Sequence, residues 1–292
     1  MKNLKQNLLE LIRKTSTELP QDVVQAVERA RDREPEGSQG RIAMEIIRKN
    51  IDLAQGKSQP LCQDTWAILF YVDAPKGLDQ VEFAKQARLA VSQATKKGYL
   101  RQNSVDSLNG KNSGTNLGPG SPTIHFHQDS KKDLKVSLIL KGGGCENVGA
   151  QYSLPHTGLK ADRDLDGVRK VVLDAVVQAQ GKGCGPGILG VTIGGDRATG
   201  YNVSKEQFLR SLVDENPNPE LNRLEEEIVG KANQLGIGPM GFGGNTTLLG
   251  CKVGVLNRLP ASYFVTVSYM CWAFRRQGFV LSPQGKVKKW LY

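Results

Sequence analysis

The chain has 292 residues, enough to bury a full core as one large domain or two intimate ones, and its 39% hydrophobic content is that of an ordinary globular protein. No stretch approaches the roughly 20 consecutive apolar residues of a membrane span, which argues against a membrane protein. The net charge of +10 is spread along the chain, with pairs at 96–97, 131–132 and 288–289, and 6% aromatics form no interleaved stacking surface; small anionic substrates or an acidic partner therefore fit better than nucleic acid.

The opening "MKNLKQNLLELIRKTS" reads as an amphipathic helix with Leu4, Leu8, Leu9 and Ile12 on one face. It mixes charges with apolar residues and lacks a small-residue cleavage site, so a cytoplasmic protein is expected rather than a secreted one. Residues 3–55 read as three helices, interrupted at "ELPQD" and "REPEGSQG". "AILFYV" (67–72) reads as a strand and 77–98 as a long helix closed by Gly98. "SPTIHFHQDSKKDLKVSLILK" has two alternating runs joined by a charged turn, the pattern of a hairpin. A helix over 164–180, a buried strand in "GILGVTIGG", and helices over about 202–214 and 218–235 follow, the last with Pro219 in its first turn. "TTLLGCKVGVLN" and "YFVTVSYM" return to strand. The expected fold is a mixed α/β (α+β) domain over 1–292. It has a helical N-terminal lobe (about 1–55), a mixed sheet core (about 56–278) with glycine-rich loops around a site, and a basic tail (279–292).

The 33 glycines gather at joints: 112–122, 141–149, 181–190, 193–196 and 236–247, each near a strand end. Glycine there lets main-chain N–H groups approach a ligand closely. None of these joints fits a phosphate loop or a dinucleotide fingerprint, and together they argue for one site assembled from distant loops. Five cysteines, an odd number over a long chain, do not suggest a disulfide framework, and no zinc spacing occurs. His125 and His127 share one face of a strand without a third ligand. Cys62, Cys184 and Cys271 lie at loop mouths, Cys145 follows three glycines, and Cys251 falls inside an alternating run as a core residue would. Three separated thiols fit an iron–sulfur cube with one open iron; spacing by itself leaves core cysteines as the alternative.

The local sequences "CQDT" (62–65), "NSGTN" (112–116), "KGGGCEN" (141–147), "NPNPELNRLEEE" (216–227), "LGIGPMGFGGNTT" (235–247) and "CWAFRR" (271–276) are more particular. In this order they resemble the iron–sulfur class I fumarases and the α subunits of L-tartrate dehydratase, through about residues 40–278. The resemblance implies a [4Fe–4S] cluster held by Cys62, Cys184 and Cys271 with one open iron, and reversible hydration of a C4 dicarboxylate. It implies that Asp64 handles a proton, that Gln63 hydrogen-bonds the substrate, and that Arg101 grips a carboxylate with its fork of donors. It sets the backbone of Gly143 and Gly144 against the substrate. It further implies a separate β subunit that completes the site, with the active assembly a dimer of αβ units.

Two departures bear on the substrate. Trp66 stands where the family has glycine after "CQDT", and Leu259, twelve residues before Cys271, stands where it has a substrate-facing histidine. His156 in "LPHTG" is a possible replacement or a solvated loop residue. The expected function is fumarate/(S)-malate hydration, with L-tartrate or another hydroxy-dicarboxylate as the alternative substrate. A non-catalytic binding or assembly protein on the same scaffold is the alternative class.

Overall fold

Apolar periodicity is converted into elements almost throughout residues 3–292, the residues that the computed structural model describes. In chain order they are α1 (Leu4–Thr17), α2 (Gln21–Arg33), α3 (Gln39–Lys57), β1 (Ile68–Pro75), α4 (Gln80–Lys96), β2 (Thr123–Asp129), β3 (Leu134–Leu140), α5 (Gly143–Asn147) and β4 (Ala150–Ser153). There follow α6 (Leu165–Ala179), β5 (Gly187–Ile193), α7 (Arg197–Glu206), α8 (Pro219–Gln234), β6 (Leu248–Val255), β7 (Phe264–Met270), β8 (Arg275–Leu281) and β9 (Val287–Trp290). Short polar side chains start the helices by accepting otherwise unmet N–H groups: Asp79 from Glu82, Asp164 from Gly167, Asp196 from Ala198 and Thr199, and Asn218 from Glu220 and Leu221. Among the described residues no helix is long and apolar enough to cross a membrane.

The chain divides into two units, each with its own sheet. The first holds the segments ending at Gln21, Lys49–Gly143 and Ala273–Tyr292; the second holds Asp22–Arg48 and Gly144–Trp272. The first unit's sheet has the order β2-β1-β3-β8-β9, parallel between β1 and β2 and antiparallel elsewhere. One cluster fills its core, with Leu8, Leu11 and Ile12 of α1, Phe83 and Val91 of α4, and Phe70, Val136 and Phe279 of the strands. Burial of such side chains is worth about 1.5–3 kcal/mol each, the main force holding α1 and α4 on the sheet. The second unit's sheet has the order β4-β7-β5-β6, with β5 buried along its whole length. Here Lys252, though buried, is met by Asp214 at 2.6 Å, and Arg210 joins Glu225 at 2.7 Å; paired charges of this kind keep desolvation tolerable.

Three expectations are corrected. The runs at 123–129 and 134–140 are strands but do not form a hairpin: β1 lies between them, parallel to β2 and antiparallel to β3. Crossing one intervening strand needs only two spacings of about 4.8 Å, which a four-residue turn can span. The helix expected over about 202–214 begins instead at Arg197 and is over by 209, because Asp196 caps it. Gly200 sits inside that helix, where a Cβ would come 2.5 Å from the Thr266 hydroxyl. Of the helices in 3–55, α1 belongs to the first unit and α2 to the second. The basic tail is strand, with β9 pairing β8 through Phe279↔Trp290 and Val280↔Lys289.

Candidate active site

In the first unit, the segment 62–67 runs from a polar loop into the wholly buried start of β1. Its side chains are fixed by short-range bonds. The Gly143 N–H donates to Asp64 Oδ2 at 2.6 Å, and the Asp64 N–H points at Cys62 Sγ, 3.4 Å away. The Arg275 guanidinium holds the Asp64 carbonyl at 2.7 Å. A Cβ at residue 142 would stand 3.0 Å from Asp64 Oδ2, so any larger residue there would have to push the carboxylate aside by a few tenths of an ångström. Arg101 Nη1 donates to Gln63 Oε1, joining the two side chains named from the motif.

A cavity of about 510 Å³ opens on this cluster and is lined by Gln63, Asp64, Trp66, Arg101, Asn103 and Gly143, among others. Gln63 and Arg101 are exposed, Asp64 is half-buried, and the Trp66 ring forms part of the wall. A fixed carboxylate, an amide and a guanidinium around one opening can bind a small dianion and exchange a proton with it. Gly144, expected beside Gly143 against the substrate, begins the second unit, where its open side faces the Lys182 carbonyl.

In the second unit, Cys184 and Cys271 come together. The Trp272 N–H donates to the Cys184 carbonyl at 3.4 Å. Burial pushes the Tyr269 hydroxyl up, and Cys271, Cys145 and Cys184 lie near enough to add to that shift. Cys184 has φ +57, a left-handed conformation that costs a non-glycine residue about 1–2 kcal/mol. Its neighbours are glycines pressed on the Tyr269 ring; a Cβ on Gly187 would lie 2.2 Å from it. Cys62 stands in the first unit, with Sγ receiving the Asp64 N–H. A thiol that accepts an N–H group, as Cys62 does, suits a thiolate ligand of an iron–sulfur cluster. Cys251 is buried in β6 and burial pushes its thiol well up, as the core reading expects.

The histidines play other parts. His125 stacks on Tyr71 at 4.9 Å, and among the described residues no group of three His, Cys, Asp or Glu is gathered for a single metal ion. His156 accepts the Leu159 N–H at Nδ1 and caps a short turn. Leu259 is exposed.

Three contributors carry no role in the sequence reading, although each lies in a quoted motif. Thr65 is buried and exchanges bonds with the Arg101 main chain at 3.1 and 3.3 Å. Asn116, buried with φ +61, accepts the Asn103 N–H at 2.8 Å and donates to the Arg101 carbonyl at 2.7 Å. Arg275 is the third. Each buried polar group left unmet costs about 1–3 kcal/mol, so Asn116→Ala is expected to lower unfolding stability by about 3 kcal/mol. Urea titration measures this, and an unchanged midpoint would contradict the assignment.

Comparison with known proteins gives a consistent set. The profile of the family described as fumarate hydratase (Fumerase) matches residues 5–280. A Geobacillus stearothermophilus protein provisionally named a class I fumarate hydratase is 52% identical over 296 residues, covering 100% of this chain and 58% of its own length. The chain thus spans little more than half of that relative. A Methanocaldococcus jannaschii protein provisionally named an L(+)-tartrate dehydratase subunit alpha is 32% identical, with 92% of this chain and 94% of the relative covered. The L(+)-tartrate dehydratase subunit alpha of Escherichia coli K12 is 31% identical, with 89% and 85% covered.

Proposed function

The chain belongs to the fumarate hydratase family, and on that premise we propose that it is the α-type part of an iron–sulfur hydro-lyase that interconverts fumarate and (S)-malate. The observation that carries the reading is the Asp64 carboxylate, pinned by the Gly143 N–H at 2.6 Å in a cavity that also presents Gln63 and Arg101. Cys62, Cys184 and Cys271 are the residues proposed to hold a [4Fe–4S] cluster, a choice that rests on their motifs and on the settings of their thiols. When bound, such a cluster with one iron free of protein ligand supplies Lewis acidity.

The chain's own side chains divide the remaining work. Arg101 binds a substrate carboxylate with its fork of donors, and Gln63, oriented by Arg101, hydrogen-bonds the substrate beside it. Gly143 and Gly144 supply backbone that can lie close to the bound dianion. Asp64 exchanges a proton with the departing or arriving water, its position fixed from both sides by Gly143 and Arg275.

L-Tartrate is the second substrate reading. It is favoured by the near-complete coverage of the two alpha subunits. The names of those two relatives as subunit alpha support a β-type partner that completes the site, and a dimer of αβ units is the assembly proposed with it. Anaerobic reconstitution with iron and that partner, followed by assays on fumarate, malate and tartrate, tests the proposal. Turnover of fumarate and malate is the expected result. A loaded, partnered protein that turns over none of the three would overturn it in favour of a binding or assembly protein.

Arg101→Lys is expected to raise KM about 10- to 100-fold, since a point charge replaces a fork and a hydrogen bond to a charged group is worth about 1.5–3 kcal/mol. Steady-state kinetics decide this; an unchanged KM would remove Arg101 from the substrate.

A further inference from the structure

β8 opens with two adjacent arginines, both 0% exposed. Successive residues of a strand face opposite ways, and these two meet different surroundings. The Arg276 guanidinium lies over the rings of Phe274 at 4.4 Å and Tyr292 at 4.8 Å. Arg275 donates through Nη2 to the Asp64 carbonyl at 2.7 Å, while among the described residues its Nε and Nη1 have no hydrogen-bond partner.

Arginine cannot shed its charge by losing a proton, and a buried guanidinium with two unmet N–H groups is strongly unfavourable unless an anion meets it. The substrate does not suit that role: Arg275 has no exposure and does not line the cavity of Asp64 and Arg101. A resident anion does. The residue that Arg275 grips through its carbonyl is the one whose N–H meets Cys62 Sγ.

We propose that Arg275 is the buried counter-charge of the anionic cluster that Cys62 helps to hold. It is a positioning residue that fixes the Asp64 main chain with Nη2 and offers its remaining donors to the cluster's sulfur acceptors. This rests on the iron–sulfur reading above. A nearby positive charge favours the reduced, more negative form of the cluster and resists its oxidation.

The test uses the full chain, loaded anaerobically beside its β-type partner, with Arg275→Met and Arg275→Gln compared to Arg275→Lys. In the two neutral variants, the oxidised-to-reduced ratio at a fixed potential should rise about tenfold, which is 59 mV for a one-electron couple. Iron loss in air should quicken in step, and Arg275→Lys should hold the wild-type potential more closely. Melting gives a readout with a change of sign. The iron-free neutral variants should melt above iron-free wild type, because an unmet buried charge has gone, and the loaded variants should melt below loaded wild type. A purely structural arginine would lower both. Potentials unchanged in both neutral variants, or equal destabilisation with and without iron, would overturn the inference alone. A wild-type chain that takes up no iron under these conditions would overturn the cluster reading and this inference with it.

Discussion

Asp64→Asn is expected to cut turnover by about 10²–10⁴-fold, the range of a positioned general acid or base, while the bound cluster keeps its visible absorption. The substitution keeps the shape of the side chain. An amide oxygen can still accept the Gly143 N–H that now meets Asp64 at 2.6 Å, and the main-chain bonds to Cys62 and Arg275 do not involve the side chain. What is lost is the ability to take and return a proton. KM should change little if Arg101 and Gln63 carry the binding. Anaerobic kcat measured beside the iron content of the same sample separates the two effects. A kcat near that of wild type would remove Asp64 from proton handling, and a kcat lost together with iron would make it a support of the cluster.

How much of this was legible in the sequence depended on the range of the interactions. α1 followed from its apolar spacing because Leu4, Leu8, Leu9 and Ile12 are four of its buried residues. Caps and glycine joints are also local, and β5, β6 and β7 followed from short apolar runs. Strand partners are not local. Nothing in the alternation of 123–140 says that β1 will separate the two runs, because the same pattern serves either arrangement. The end of the chain misled for a related reason. "RRQGFVL" looks polar at its start, but Arg275 and Arg276 are buried by their surroundings, one over aromatic rings and one against the Asp64 main chain.

The site divides along the same line. Gln63, Asp64 and Arg101 were named from motifs, and the first unit gathers them at one cavity together with Gly143. Asn116 and Thr65 were hidden because their work is to hold the backbone of Arg101 and Asn103, a role with no sequence signature beyond a small polar residue. The bonds of Asn116 explain why "NSGTN" belongs with "CQDT": the second asparagine of the motif sets the main-chain path of the arginine that bonds Gln63.

Alanine at Cys62, Cys184 or Cys271 is expected to abolish iron retention and activity together, whereas alanine at Cys145 or Cys251 is expected to leave both. A cube that already has one iron without a protein ligand tolerates the loss of a further corner poorly, so each ligand should matter almost completely. The two controls are not neutral by default. Cys251 is deeply buried, and burial holds its thiol neutral, which denies it the thiolate that ligation requires; its truncation should cost about 1 kcal/mol of packing and no iron. Cys145 is the harder case, since it shares the surroundings of Tyr269 with Cys184 and Cys271, and its Sγ lies 3.9 Å from the Gly183 carbonyl. Iron and sulfide per chain, read with the electron paramagnetic resonance of the reduced protein, distinguish a ligand from a neighbour. Full iron in Cys62→Ala with none in Cys145→Ala would move the first ligand to the thiol after the three glycines. The Asp64 N–H at Cys62 Sγ would then be a packing contact rather than the hydrogen bond of a cluster thiolate.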